Sequence, residues 1–224
     1  MSSDHRSIAF FDLDHTLVDG DSDTSFIEYL HRRGEVARDV IDAKEPIQVA
    51  YLEGRPWQAD YEQLLARIYT GRDVAATERL AAAHAEECVL PMLFAGARGL
   101  VERERARRGA LVLLTTTNQV VAGPIAEALG FDPLLSTRLE VVGDRYTGRL
   151  VGGFCTGPGK ARALLAHCEA AGVDPRRCAM FGDGRSDMEA LEVVGEPVAV
   201  HPMGALAERA AARGWPVLDL SLPS

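Results

Sequence analysis

The sequence is poor in lysine: of its 24 cationic side chains only Lys44 and Lys160 are lysines. An arginine bias can reflect a GC-rich coding sequence, so each lysine kept hints that a compact point charge is wanted there. Also missing is any apolar run near the roughly 18 residues of a membrane span. The N-terminus is apolar only from Ile8 to Phe11 before Asp12 and Asp14 interrupt it, which is not a signal-peptide pattern. The expectation is a cytoplasmic protein with no membrane partner. Cys88, Cys155, Cys168 and Cys178 are scattered and form no C-x-x-C. That argues against a disulfide framework or zinc site and for buried free thiols. Positive charge is not in excess either. A formal net charge of −9 argues against nucleic acid or an anionic membrane as the main partner. An anionic substrate would need local help, from a metal or a few cations.

There is no internal repeat and no low-complexity tract. At 224 residues the chain can hold one large domain or two smaller ones. Residues 7–12 read as a strand. Five helices are expected next, over Ser22–Arg33, Val36–Leu52, Pro56–Tyr69, Asp73–Cys88 and Phe94–Arg108, punctuated by Gly34, the Glu53–Pro56 stretch, Gly71 and Pro91. From Ala110 strands alternate with helices. The expected strands are 110–115, a hairpin within 134–153 turning near Gly143, 178–182, 197–200 and 216–220. Such alternation implies parallel βαβ units covered on both faces. The expected fold is therefore α/β, a Rossmann-like parallel sheet with an inserted helical cap. Its core comprises residues 1–19 and 96–224, and its cap residues 20–95.

Sites in open parallel sheets lie at the carboxyl ends of strands. Here those ends deliver oxygen. Strand 7–12 runs into Asp12 and Asp14, strand 110–115 into Thr115, Thr116 and Thr117, and strand 178–182 into Asp183 with Asp187 just beyond. Positions 12 and 14 would share a strand face, and a hard divalent cation bound there would remove their repulsion. Mg²⁺ takes oxygen ligands and commonly binds one or two carboxylates plus a substrate phosphate. The plainer reading of these residues as caps and turn formers fits Asp183 better than the pair Asp12 and Asp14. Lys160, in "GPGKA", is not the end of a P-loop, because that spacing needs glycine where Phe154 sits and Ser or Thr where Ala161 sits.

"DLDHT" (Asp12–Thr16) matches the D-x-D-x-T motif of the haloacid dehalogenase (HAD)-like hydrolases. "LVLLT" ending at Thr115, a helix-opening Lys160, and "GDGRSD" with Asp183 and Asp187 resemble their other three motifs, in the right order. The helical insertion falls where that superfamily carries its type 1 cap. The sequence is most similar to subfamily IB, the phosphoserine phosphatase-like enzymes. The resemblance implies an Mg²⁺-dependent phosphatase acting on a small phosphorylated metabolite through an aspartyl-phosphate. Asp12 would be the nucleophile and Asp14 the acid and base. The metal would be held by the carboxylates of Asp12 and Asp183 and the backbone carbonyl of Asp14. Thr115, Thr116 and Lys160 would bind phosphate, and Asp187 would orient Lys160 or a metal-bound water.

The substrate is left open. Asp21 lies close to the place of a glutamate that binds the substrate's amino group in phosphoserine phosphatases, and Arg55 and Arg67 are cap cations that a substrate carboxylate could meet. Phosphoserine, histidinol phosphate and other small phosphomonoesters all remain. A phospho-accepting receiver-type domain would be about half this length and lack the insertion. Dehalogenation would leave the proton donor Asp14 unexplained, and intact acidic motifs argue against a catalytically idle binding protein. Strand alternation points His15 away from Asp12. His167 and Cys168 read as packing or surface, His201 is ambiguous, and "RERARRG" (Arg103–Gly109) reads as a solvated helix end.

Overall fold

Continuous apolar runs decide where the sheet forms. In the computed structural model, which describes residues 7–222, β1 (Ser7–Phe11), β2 (Gly109–Asn118) and β3 (Leu134–Thr137) are strands of one sheet. β4 (Leu139–Val142) and β5 (Arg145–Leu150) form a separate antiparallel hairpin. β6 (Ala179–Gly182), β7 (Glu196–Val200) and β8 (Val217–Leu218) complete the first sheet. Its order is β3-β2-β1-β6-β7-β8, and every neighbouring pair is parallel. Alternation along the strands feeds two cores. Ala9, Phe11, Leu113 and Phe181 join one apolar cluster, and Ile8, Phe10, Val112 and Met180 the other. A parallel sheet covered on both faces has to be apolar on both.

Between β1 and β2 the chain is helical: α1 (Ser22–Arg32), α2 (Arg38–Asp42), α3 (Lys44–Leu52), α4 (Gln58–Tyr69), α5 (Val74–His84) and α6 (Ala97–Arg108). The first five form the inserted cap, while α6 lies against β1 and β2. The helix expected over 36–52 is two helices. Pro46 has no N–H for the carbonyl of Asp42, and its ring crowds that carbonyl, so α2 stops at Asp42. α5 stops at His84 and passes into a π turn over Ala85–Val89. α6 starts at Ala97 rather than Phe94, whose N–H is committed to the carbonyl of Leu17 at 3.0 Å. Residues 134–137 pair with β2 in the main sheet, so the hairpin begins only at Leu139. The remaining helices are α7 (Gln119–Leu129), α8 (Pro158–Ala171), α9 (Met188–Val193) and α10 (Gly204–Arg213). No helix among the described residues is long and apolar enough to cross a membrane.

Two of the contacts between the cap and the rest of the molecule stand out. The rings of Trp57 and Tyr61 stand 5.2 and 5.6 Å from Phe154, in the loop before α8. The hairpin meets the cap along 71–74, where the Gly71 N–H donates to the Tyr146 carbonyl at 2.9 Å. Gly148 of β5 permits this approach: its φ is +79°, and a Cβ there would lie 2.9 Å from Ala66 Cα in α4.

The cap also buries a titratable group. His84 is fully enclosed, with the Phe26 and Tyr29 rings 5.2 and 5.4 Å away. Its Nε2 meets Ser25 Oγ at 3.0 Å, while Nδ1 has no partner. Burial, reinforced by Arg32, pushes its pKa from 6.5 down to about 4. The unfolded chain therefore takes up a proton that the fold excludes. The His84 contribution to stability is complete above pH 6.5 and is lost as the pH drops toward 4. The raised carboxyls of the active site titrate over the same range with the opposite sign, so the test is a difference. Relative to wild type, His84→Gln should gain up to about 3 kcal/mol in denaturant titrations between pH 6.5 and pH 4. A difference between the two proteins that does not change with pH would contradict this.

Candidate active site

The ladder between β1 and β6 runs one residue past β1, where the Asp12 N–H donates to the Phe181 carbonyl at 2.9 Å. That bond sets Asp12 beside the end of β6, whose chain continues into Asp183. The strand order reverses at this point, with β2 and β3 on one side of β1 and β6 on the other. Such a reversal opens a crevice beyond the carboxyl ends. The chain after Asp12 then folds on itself. The N–H groups of Thr16, Leu17 and Val18 all converge on the carbonyl of buried Leu13, at 3.3, 2.8 and 3.1 Å.

This turn corrects the expectation that positions 12 to 15 alternate as a strand. Asp12 and Asp14 border one cavity but have separate partners. Asp12 Oδ1 accepts from Lys160 Nζ at 2.6 Å. Asp14 accepts the Ser22 N–H at the start of α1 at 2.7 Å and the Thr117 hydroxyl at 2.6 Å. His15 has φ +59° and lines the cavity; with no strand at that position, parity does not turn it away.

Lys160, in the first turn of α8, is completely buried. Its ammonium donates to Asp12 Oδ1 and to Asp187 Oδ1, both at 2.6 Å. Asp187 Oδ2 accepts the N–H groups of Asp183 and Gly184, each at 3.2 Å. Gly182 makes room for this arrangement, since a Cβ there would lie 2.6 Å from that of Asp187. The Thr16 hydroxyl holds Asp183 Oδ1 at 3.1 Å.

Carboxylate oxygens of Asp12, Asp183 and Asp187 all lie within 4.8 Å of one another. If all three were ionised, three buried carboxylates would face one ammonium, a deficit of two positive charges. The effect on protonation is large. Burial, then the charges of Asp187 and Asp12, pushes Asp183 up to about 9. Burial and the Asp12 charge push Asp187 up to about 6, against the pull of Lys160. For Lys160 the two carboxylates outweigh burial and hold it well above the usual lysine range. A divalent cation supplies the missing charge and prefers these hard oxygen donors, so the residues present fit one. The Asp14 carboxylate accepts from Ser22 and Thr117 instead and is not one of the three grouped carboxylates. Burial foremost, then the charge of Asp21, pushes the Asp14 carboxyl up to about 7.

The cavity measures about 550 Å³. Thr115 and Thr116, near the end of β2, line it. The Thr115 hydroxyl accepts the Thr117 N–H at 3.1 Å, and the Thr116 hydroxyl is buried with no partner. Asp21 also lines it; its carboxylate caps α1 through the Thr24 N–H at 2.7 Å. Arg55 and Arg67 do not. They border a separate groove on the cap and pair with Glu53 and Asp39 at 2.6 and 2.7 Å. His201 accepts the Leu220 N–H at 3.0 Å, and His167 stands edge-on to Phe10. All four cysteines are free, yet Cys168 and Cys178 meet in the core with sulfurs 3.8 Å apart. The basic run is not simply solvated, because the Arg108 side chain is buried against Glu104 and Glu196 at 2.7 and 2.6 Å.

The profile of the haloacid dehalogenase-like hydrolases matches residues 9–192. The chain is 33% identical to the inhibition of morphological differentiation protein of Streptomyces azureus, over 97% of this chain and 80% of that one. It is 31% identical to a phosphoserine phosphatase of Mycobacterium tuberculosis, over 98% and 72%. It is 28% identical to a histidinol-phosphatase of Neisseria meningitidis serogroup C, over 96% and 99%. A solved protein of unknown function from Bordetella pertussis Tohama I superposes with a TM-score of 0.86 at 29% identity, over 96% and 99%. The chain belongs to the haloacid dehalogenase-like hydrolases. Within them it is phosphoserine phosphatase-like, a phosphoric monoester hydrolase.

The buried ion cluster makes a prediction about stability. Removing one partner of a buried pair typically costs about 3–5 kcal/mol, because a charge is left uncompensated. Lys160→Met should lose that much at pH 8 without added divalent cation, read by urea denaturation. Asp12→Asn in the same chain should recover part of it. A Lys160→Met protein as stable as wild type would show that the acids are not charged as described.

Proposed function

We propose that the protein is an Mg²⁺-dependent phosphatase that hydrolyses a small phosphomonoester through an aspartyl-phosphate on Asp12. The observation that carries this reading is the bond from Lys160 to Asp12 Oδ1 at 2.6 Å. It fixes one oxygen of a carboxylate that borders the cavity and leaves the other for attack. The names of the mycobacterial and neisserial relatives, both phosphatases of small phosphorylated metabolites, agree with it.

In the first half-reaction Asp12 Oδ2 attacks phosphorus. An oxygen–phosphorus bond forms as the bond to the ester oxygen breaks. Asp14 gives its proton to the departing oxygen, a role that suits a carboxyl pushed up to about 7. In the second half a water attacks phosphorus and gives its proton back to Asp14. The Asp12–phosphorus bond breaks and inorganic phosphate leaves. The Thr115 hydroxyl and Thr116 N–H hold phosphoryl oxygens, and Lys160, itself oriented by Asp187, keeps Asp12 in place. Mg²⁺, held by the Asp12 and Asp183 carboxylates and the Asp14 backbone carbonyl, would supply positive charge against the equatorial oxygens of the transferred group. A cavity of about 550 Å³ suits a small metabolite, and a net charge of −9 argues against nucleic acid. We read the protein as cytoplasmic. Phosphoserine and histidinol phosphate, named by the relatives, are the first substrates to compare.

Phosphate release measured over a panel of phosphomonoesters tests the mechanism. Asp12→Asn should abolish turnover, and EDTA should remove it until Mg²⁺ is restored. Asp14→Asn should lower kcat by about 10²–10⁴-fold on alkyl phosphates. The loss should be smaller on p-nitrophenyl phosphate, whose leaving group needs no proton. Activity surviving Asp12→Asn, or indifferent to EDTA, would sink the mechanism.

A further inference from the structure

Both lysines of the chain are buried among aspartates, and only Lys160 has a part in the chemistry above. Lys44 opens α3 on the cap side of the same cavity. Its ammonium lies 3.1 Å from Asp23 Oδ2, 3.9 Å from Asp21 Oδ2 and 4.6 Å over the Tyr61 ring. Asp23 is further engaged by the Tyr61 hydroxyl and by the Asn118 amide at 3.2 Å. Asp21 is spent on the α1 cap. The two acids at the leaving-group end of the cavity are thus already answered by the protein itself. We propose that Lys44 is a specificity-determining residue that pairs with Asp23 and offsets part of the Asp21 charge, so that the site takes phosphomonoesters with an uncharged, apolar or aromatic leaving group. This rests on the phosphatase reading above and narrows its substrate class.

Around Lys44 the charges work against either kind of ionic leaving group. A substrate ammonium seeking Asp21 or Asp23 comes up against the ammonium of Lys44. A substrate carboxylate seeking Lys44 comes up against two aspartates. A neutral group meets neither conflict. Near Lys44 the cap wall is apolar and aromatic, built from Ile47, Tyr51, Leu52 and Trp57. Two large hydrophobic side chains are left open at this same cavity, Leu52 at 66% and Met203 at 63% exposure. Exposed apolar surface gathered at a cleft marks a ligand surface. Asp21, close to the position the resemblance gives to amine binding, has Lys44 3.9 Å away. On this proposal the chain differs in substrate from the relatives named for phosphoserine and histidinol phosphate.

The test compares alkyl phosphates of similar leaving-group basicity. Phosphate release from 2-phenylethyl phosphate, histidinol phosphate and phosphoserine is measured with Mg²⁺, in wild type and variants. In wild type kcat/KM for 2-phenylethyl phosphate should exceed that for either amine by tenfold or more. Lys44→Met uncovers the two acids and should shift the ratio at least tenfold toward the amines. Lys44→Met with Asp23→Asn restores the original charge balance and should restore the original order. Asp23→Asn alone should move the ratio the other way, which keeps the test alive if Lys44→Met does not fold. A wild type that prefers an amine, or a ratio indifferent to these changes, overturns the proposal while leaving a phosphatase. No release from any ester overturns the phosphatase reading on which it rests.

Discussion

A single buried ammonium organises this molecule. Lys160 has no exposed surface and donates to two aspartates from different segments, one after β1 and one beyond β6. Burying a charge is costly unless it is paired and hydrogen-bonded, so the position of α8 is tied to the two central strands. Gly182 is bare because Asp187 must pass against it, and the Leu13 turn carries Asp14 away from Asp12 toward the cap. Three carboxylates against one ammonium form a donor set that fits a divalent cation. The proposed mechanism uses the same imbalance of charge.

The cap repeats the device with a different outcome. Lys44 also sits among aspartates, but there Asp23 has further donors in Tyr61 and Asn118, and Asp21 accepts from the α1 backbone. The charge deficit is larger at the Lys160 end of the cavity than at the Lys44 end. In the proposed mechanism the Lys160 end takes the phosphoryl group and its counter-cation. The Lys44 end, walled by Trp57 and Tyr51, is then where shape and apolar contact decide what enters. The aromatic contact on Phe154 and the hairpin along residues 71–74 tie the cap to the sheet domain.

Much of this was legible in the sequence, for identifiable reasons. The parallel sheet could be read because its strands are buried on both faces and so are continuous apolar runs. The strand-end aspartates could be read because topology forces function to the carboxyl ends. Helix breaks inside the cap were harder: Pro46 in a first turn looks tolerable until the carbonyl it displaces is identified. β3 was misassigned to the hairpin because "LLST" does not say which partner it pairs with. The parity argument for His15 fails because strand alternation ends at Phe11, where a turn on Leu13 replaces it. Asp23 was missed, and Thr16 and Thr117, though named within the motifs, were given no role, since no spacing rule separates them from ordinary turn and cap residues. Lys44 left only one trace, its rarity. Arg55 and Arg67 were weighed for the substrate because charge is visible in sequence while helix rotation is not.

The central claim is that Asp12 itself carries the phosphoryl group. A radiolabelled p-nitrophenyl phosphate, mixed with enzyme and Mg²⁺ and quenched in acid within a few milliseconds, traps that species directly. Hydroxylamine-labile label is expected on the proteolytic peptide containing Asp12, at up to one equivalent, and absent from Asp12→Asn. Rapid turnover with no label on that peptide, or with label on a serine, threonine or histidine instead, would contradict it.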